Sequence, residues 1–477
     1  MTETKAHHPV FEFERVLESV PARVFAFRPS AGMASEAYAD RPGMAVAFSG
    51  GLDSTALLDL AHAYALEKGL FLIAFHVHHG LNAKADAWLD HCRDFCRARE
   101  IAFDARRVML DPDSGEGTEA AARRARYAAL VEMCTLHGMN LLLTAHHEDD
   151  QAETVLLQLM RGAGVAGLSG MEVLGVIPGV EDEEAPQLLR PLLAVSRASL
   201  ESLVQERRLA YVEDDSNTDP RYARNAIRLK VAPVLSGFFP GFESRVSRSA
   251  QHMQSAGRLL NELAEMDWET CRDGDTLNII RMSELGHDRF DNLFRFWLDA
   301  HGLRMPSTAW LNEARTQLLD AREDAQVRLD MEGAVIRRYQ DQLIFQEPEK
   351  AGGAEEVPRE RQGPIVWQGE PRISVPAFGG ELLFEYASEG LDADWLRARP
   401  LYVGAYHGRL MFKTSPNRPT KSLKAHYQER RVPAWERQRL PLLYADDRLL
   451  FAAGVGMAAE DVAKGDNRVW IGWVPFP

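Results

Sequence analysis

Residues 45–61, AVAFSGGLDSTALLDLA, constrain this chain more than any other stretch. An apolar run stops at Ser49-Gly50-Gly51, and Leu52, the acid Asp53 and a second serine, Ser54, follow before apolar spacing resumes. The pattern is that of a strand handing over to a helix. Two glycines at the junction let backbone N–H groups approach an anion with no Cβ in the way, and the start of a helix adds partial positive charge. Serine hydroxyls at both ends can donate to phosphate oxygens. The loop is not GxxxxGK[ST], because the lysine is absent. Asp53 by itself would repel phosphate; it makes sense with Mg²⁺ between the two, which makes it the candidate metal ligand.

The surrounding pattern gives this junction a context. Between Gly43 and Arg208 the candidate strands are Met44–Phe48, Phe71–Val77, Ile101–Val108, Asn140–Ala145 and Leu188–Leu193, with helical patterns between them, notably Thr118–His137 and Glu148–Met160. Strand–helix alternation implies right-handed crossovers and a parallel sheet covered on both faces, with ligands bound past the carboxyl ends of the strands. A chain of 477 residues exceeds one core. We divide it into an N-terminal extension (1–40), a catalytic α/β domain (41–237), a mainly helical domain (238–346), a charged linker (347–363) and a mixed, strand-rich C-terminal domain (364–477). In the helical domain Asn292–Ala300 and Thr308–Leu319 are periodic, and a short strand-like tail follows.

A formal charge of −15 argues against nucleic-acid binding by the whole surface. The charge is unevenly spread, however. From Gly404 to Leu440 nine basic residues (Arg409, Lys413, Arg418, Lys421, Lys424, Arg430, Arg431, Arg437, Arg439) face two acids (Glu429, Glu436), a net +7, with Tyr406, Phe412, Tyr427 and Trp435 interleaved. A solvated face and an RNA contact both fit such a run. Cys92, Cys96, Cys134 and Cys271 form no C-x-x-C, which disfavours a zinc ribbon, an iron–sulfur ligand set and a disulfide framework. Cys92 and Cys96, at i,i+4, read as one buried and one partly exposed thiol. No apolar run approaches the ~18 residues of a membrane span, and the N-terminus lacks the basic cap and apolar core of a signal peptide, so we expect a cytoplasmic protein.

A second cluster is decisive. After the strand-like Leu141–Ala145 comes His146-His147-Glu148-Asp149-Asp150-Gln151-Ala152-Glu153-Thr154. On a helix, Ala152, Val155, Leu156 and Leu159 form an apolar face, and Asp150, Glu153 and Thr154 project from another. Four acids and two histidines exceed what capping needs. A third cluster, Asp214-Asp215-Ser216-Asn217, precedes Arg224-Asn225 and Ile227-Arg228.

Ser49–Ser54 resembles the SGGxDS PP-loop of the N-type ATP pyrophosphatases (the adenine nucleotide alpha hydrolase-like fold). The His146–Thr154 run is similar to the HHxDDQxET of the tRNA(Ile)-lysidine synthetases. Arg161-Gly162-Ala163-Gly164, Gly167–Met171, Arg190-Pro191-Leu192-Leu193 and the Asp215–Arg228 segment match as well, although Asn82 replaces the usual arginine after His79-Gly80-Leu81. Lys421–Lys424, Gln428-Glu429, Val432–Trp435, Arg437 and Leu440–Leu443 resemble that family's C-terminal domain. The likeness spans Ala45 to Gly454.

The resemblance implies ligation of free L-lysine to C2 of the wobble cytidine of tRNA(Ile) with anticodon CAU, using ATP and Mg²⁺ and leaving AMP and pyrophosphate. It assigns ATP to Ser49, Gly50, Gly51, Leu52, Asp53 and Ser54, with adenine on backbone near Ala47 and Phe75–His76. Arg224 and Arg228, with His146, become the cations for the developing phosphoryl charge. Asp150 and Glu153 become the lysine-binding pair, one holding the ammonium and the other taking a proton. Arg418, Lys421, Lys424, Arg430, Arg431 and Arg437 become tRNA contacts. No obligate protein partner is implied, and monomer and homodimer stand level. A tRNA thiolase, a GMP- or NAD-synthetase-like amidating enzyme and a non-catalytic RNA-binding relic remain as alternatives. The thiolase needs reactive cysteines, and the relic has no reason to keep Asp53, Asp150 and Glu153.

Overall fold

The computed structural model describes residues 8–26, 42–80, 84–109, 118–180, 185–213, 221, 223–274, 276–321, 327–346, 361–407, 410–415, 417–430, 432–459 and 467–476. The chain forms two compact units, residues 1–263 and 264–477. Residues 347–360 of the expected linker, the Asp215-Ser216-Asn217 cluster, Arg409 and Arg431 lie outside the described residues.

The first unit is built on a six-stranded sheet: β1 (Gly43–Ala47), β2 (Phe71–His78), β3 (Ala102–Arg107), β4 (Leu141–Leu143), β5 (Leu174–Gly175) and β6 (Gln187–Leu189), in the order β3-β2-β1-β4-β6-β5. The first four pairings along that order are parallel, and β5 closes the edge antiparallel to β6. The central strands β1 and β4 are apolar throughout, and alternation splits the sheet's apolar side chains between two cores. Met44, Val46, Leu141 and Leu143 enter one, with Ala45, Ile73, Phe75 and Leu142 in the other.

Helices α1 (Pro9–Ser19), α2 (Leu52–Lys68), α3 (Ala85–Arg97), α4 (Thr118–Leu136), α5 (Glu148–Met160), α6 (Val165–Leu168) and α7 (Arg197–Glu206) connect or cover the strands. Phe13, Val16 and Leu17 of α1 are buried in the first core, so part of the expected extension belongs to the catalytic fold. The last expected strand, Leu188–Leu193, ends early as β6 because Pro191 follows Leu189-Arg190 and the chain turns, with Arg190 N–H donating to the Val173 carbonyl. Cys92 and Cys96 are both fully buried, contrary to the one-in, one-out reading.

In the second unit the sequence reading is incomplete. The segment expected to be mainly helical does hold helices His287–Ala300 and Thr308–Asp320 around Phe294, Trp297 and Leu311, but they pack on a five-stranded antiparallel sheet. Two of its strands, Arg272–Asp273 and Thr276–Asn278, are too short to carry a period. The C-terminal part has a five-stranded and a four-stranded antiparallel sheet, sharing a core around Trp367, Phe384 and Leu443.

Candidate active site

Strand order places the chemistry. From β1 the chain winds outward through β2 and β3, then returns to β4 on the other side of β1. The switch point therefore lies between the carboxyl ends of β1 and β4, where a crevice forms in such sheets. The two sequence clusters leave the sheet at that place: Ser49–Ser54 after β1, His146–Thr154 after β4.

The first loop is held in shape by its own serines. Ser49 Oγ lies 3.0 Å from Ser54 Oγ, and Ser54 Oγ–H donates to the Gly51 carbonyl at 3.0 Å. Gly50 has φ +84°, and a Cβ there would sit 2.9 Å from Cys92 Sγ. The N-cap of α2 is Gly51, which offers no side chain to the first-turn N–H groups, so these remain available to an anion. Beneath the loop the Phe48 carbonyl lies 2.9 Å from Nδ1 of buried His76, whose pKa is lowered by burial; the neutral ring donates from Nδ1. Asp53 Oδ1 is buried without a hydrogen-bond partner.

Asp53 faces the second cluster through His147, 3.7 Å from its Nε2. The same imidazole lies 3.5 Å from Asp149 and 3.4 Å from Asp150. Burial disfavours the imidazolium, yet Asp150, with Asp149 and Asp53, outweighs it and raises the pKa to about 10. His147 is thus a cation, whereas its neighbour is not. Burial, with Arg190 and Arg123 nearby, lowers the pKa of His146 to about 3 against the pull of Asp150, and its Nδ1 lies 2.9 Å from the Thr144 hydroxyl. The expectation of His146 as a cation for phosphoryl oxygens is therefore corrected: at neutral pH it can act only as a neutral donor or acceptor.

The four remaining candidates form one array. Arg224 Nε donates to Glu153 at 2.9 Å and its NH2 to Asp150 at 3.2 Å; Arg228 Nε donates to Glu153 at 2.6 Å and its NH2 to Asp150 at 3.1 Å. The arginines are four residues apart, the second on a π-helical turn (Ile227–Val231), so their guanidinium groups share a face. Glu153 is 4% exposed. Burial raises the pKa of the Asp150 carboxyl, but His147, Arg224 and Arg228 outweigh it and lower it to about 2. The expected apolar face of α5 is only partly internal: Ala152 and Val155 are buried, and Leu159 is exposed.

A cavity of about 310 Å³ opens beside this array, with His147, Glu153 and Arg228 in its wall together with Asp149, Arg197 and Glu243. Of the last three, Arg197 and Glu243 escaped the sequence reading, since nothing local sets them apart from other surface charges. His147 was quoted but given no role; its signal was the run of three acids that follows it.

Residues 29–235 match the PP-loop domain family, 277–344 the TilS substrate binding domain and 401–473 the TilS substrate C-terminal domain. The tRNA(Ile)-lysidine synthase of Ralstonia nicotianae is 43% identical over 441 residues, which cover 91% of this chain and 93% of the relative. The chain belongs to the tRNA(Ile)-lysidine synthase family. The tRNA(Ile)-lysidine synthases of Shigella flexneri and Coxiella burnetii are 36% and 34% identical, covering 90% and 89% of this chain and 95% and 91% of their own. The four thiols are all buried, and burial raises the pKa of Cys92 and Cys96 to about 12. No described helix is long and apolar enough to cross a membrane.

The five described residues among the six expected to contact tRNA do not share one environment. Arg418, Lys424 and Arg430 are exposed, while Lys421 pairs with Glu429. Arg437 is 6% exposed; its Nε donates to the Val432 carbonyl at 2.9 Å and its NH2 to Tyr339 Oη at 3.1 Å. It pins the Val432–Trp435 turn to Tyr339, with Trp435 edge-on to that tyrosine, and cannot grip a phosphate from there. The tRNA-contact expectation for Arg437 is corrected accordingly.

Proposed function

We propose that the protein joins L-lysine to C2 of the wobble cytidine of tRNA(Ile) bearing the CAU anticodon, consuming ATP and releasing AMP and pyrophosphate. Asp53, His147, Asp150, Glu153, Arg224 and Arg228 converging at the sheet's switch point is the observation that carries this reading. In the first step the cytosine O2 attacks the α-phosphorus and the bond to the β-phosphate oxygen breaks. The Ser49–Ser54 loop and the first turn of α2 bind the phosphates through N–H and hydroxyl donors. Asp53 suits Mg²⁺: its buried oxygen has no other partner. Among the described residues no three His, Cys, Asp or Glu side chains gather to hold an ion alone, so ATP oxygens and water would complete the shell. Bound there, the ion would supply positive charge against the pyrophosphate.

In the second step the lysine ε-amine attacks C2, loses a proton, and AMP leaves with the former O2. An amine of pKa ~10.4 is mostly protonated at pH 7, a penalty of about 4.6 kcal/mol if unassisted. Asp150 and Glu153 are the acceptors for that ammonium and its proton. Both carboxylates are now bridged by Arg224 and Arg228. Turning of their guanidinium groups toward the α-phosphate as it gains charge would free carboxylate oxygens for the amine. The exposed Arg418, Lys424 and Arg430 supply phosphate contacts for tRNA.

The test incubates the purified protein with Mg-ATP, radiolabelled L-lysine and a tRNA(Ile) transcript bearing CAU, and counts acid-precipitable label that survives mild alkali. Alkali-stable label absent from Asp53→Asn supports the reading, since an aminoacyl ester hydrolyses and a C2–N bond does not. ATP cleavage with no label on the tRNA would refute the acceptor.

A further inference from the structure

The cavity beside α5 holds more charge than the ligation chemistry uses. Asp149, Ala152, Glu153 and Leu156 stand at i, i+3, i+4 and i+7, so one stripe of α5 forms a wall. The lining brings together three basic side chains, His147, Arg197 and Arg228, and three acidic ones, Asp149, Glu153 and Glu243. Leu156, Leu229 and Phe242 add apolar surface to the same lining. Balanced charge together with apolar surface suits a dipolar ligand with an aliphatic stem. A nucleotide's phosphates would meet three carboxylates there. At about 310 Å³ the cavity is at the lower end of the ~300–1,000 Å³ typical of small-molecule sites.

Three of these charges, Asp149, Arg197 and Glu243, lie outside the array that faces Asp53. Arg197 commits its Nε to Glu201 at 3.1 Å, and its backbone N–H donates to Asp149 at 2.9 Å. Glu243 accepts from the Ser236 hydroxyl at 2.8 Å through Oε1. Asp149 is already engaged by that N–H and by His147. The structure therefore assigns Arg197 and Glu243 as the amino-acid specificity pair: Arg197 takes the α-carboxylate of free lysine and Glu243 its α-ammonium, with the stem along Leu156 and the ε-amine at Glu153. This assignment rests on the lysine-ligation reading and deepens it. It explains how a free amino acid is told apart from a bare alkylamine, which the carboxylates of the array cannot do, since both molecules offer them the same ammonium end.

The experiment measures steady-state transfer to tRNA(Ile) with L-lysine, cadaverine, which lacks the α-carboxylate, and 6-aminohexanoate, which lacks the α-ammonium. The wild-type protein should use either analogue at least 100-fold less efficiently than lysine. Arg197→Ala should raise KM for lysine tenfold or more with a much smaller change in kcat, and leave kcat/KM for cadaverine where it was. Glu243→Gln should do the same against 6-aminohexanoate, and Arg197→Lys should recover part of the lysine KM. Unchanged cadaverine turnover also reports that the variant is folded. Equal losses for lysine and cadaverine in Arg197→Ala, or an unmoved lysine KM, would overturn the assignment while leaving ligation intact. A wild-type protein that places no lysine on tRNA would instead overturn the reading beneath it.

Discussion

Replacing each loop glycine in turn by alanine separates two physical demands that the motif joins. At Gly50 the backbone has φ +84°, and an added Cβ would stand 2.9 Å from Cys92 Sγ and 3.2 Å from Val212 Cγ2. The left-handed conformation costs an alanine about 1–2 kcal/mol, and crowding in a packed site about 1–3 kcal/mol. Against this, the unfolded chain loses freedom worth about 0.4–1 kcal/mol. Gly50→Ala should therefore destabilise the first unit by about 2–4 kcal/mol, a fall in Tm of about 5–15 °C for a domain of this size. Gly51 has φ −71°, and its added Cβ would meet nothing nearer than Ser49 Oγ at 3.5 Å. Gly51→Ala should keep stability within about 1 kcal/mol, yet weaken ATP tenfold or more, because the methyl stands where phosphate approaches the N–H groups of α2. Calorimetry and ATP titration on both variants, and on Gly50→Ala/Cys92→Ala, give the answer. The double variant should recover part of the loss, the steric share, and keep the share due to φ. Equal stability of the two single variants, or no recovery in the double, would refute the reasoning.

Three further outcomes follow from the same structure. Glu153→Gln should abolish lysine transfer and cost about 1–3 kcal/mol, because Arg224 and Arg228 lose a buried counter-charge; urea denaturation beside the transfer assay checks both. Removing Lys424 or Arg430 should weaken tRNA binding and lower the salt slope by about 1 each, whereas Arg437→Ala should lower the stability of the second unit by about 1–3 kcal/mol through the lost Val432 and Tyr339 bonds and leave the salt slope unchanged. Acid should act through His146: its folded pKa of about 3 lies below the unfolded value, so its stability is whole above pH ~6.5 and drains as pH falls toward 3, with the unfolded chain taking up the proton first. That amounts to about 2 kcal/mol at pH 5, and His146→Gln should flatten the profile between pH 7.5 and 5 in denaturant titrations.

Much of the first unit was legible in the chain. The strand–SGGLDS–helix junction carries its chemistry in six consecutive residues, so local conformation alone delivers it, and the bounds of α5 were read to the residue. The first two strands of the sheet under the second unit's helices were hidden because strands of two or three residues have no period to detect. Other features belong to no local stretch. His146 and His147 are the same residue side by side, and only packing decides that one is neutral and the other a cation: one ring is buried near arginines, the other among three carboxylates. Arg437 carries the same charge as Arg430 and differs only in being buried against Tyr339. Arg224 and Arg228 reach Asp150 and Glu153 across more than seventy residues of sequence. The sequence by itself determined which chemical groups were available and in which turn each would start. The tertiary structure decided which of them face one another, and so their charge, because the field at a side chain is set by neighbours that the chain order does not specify.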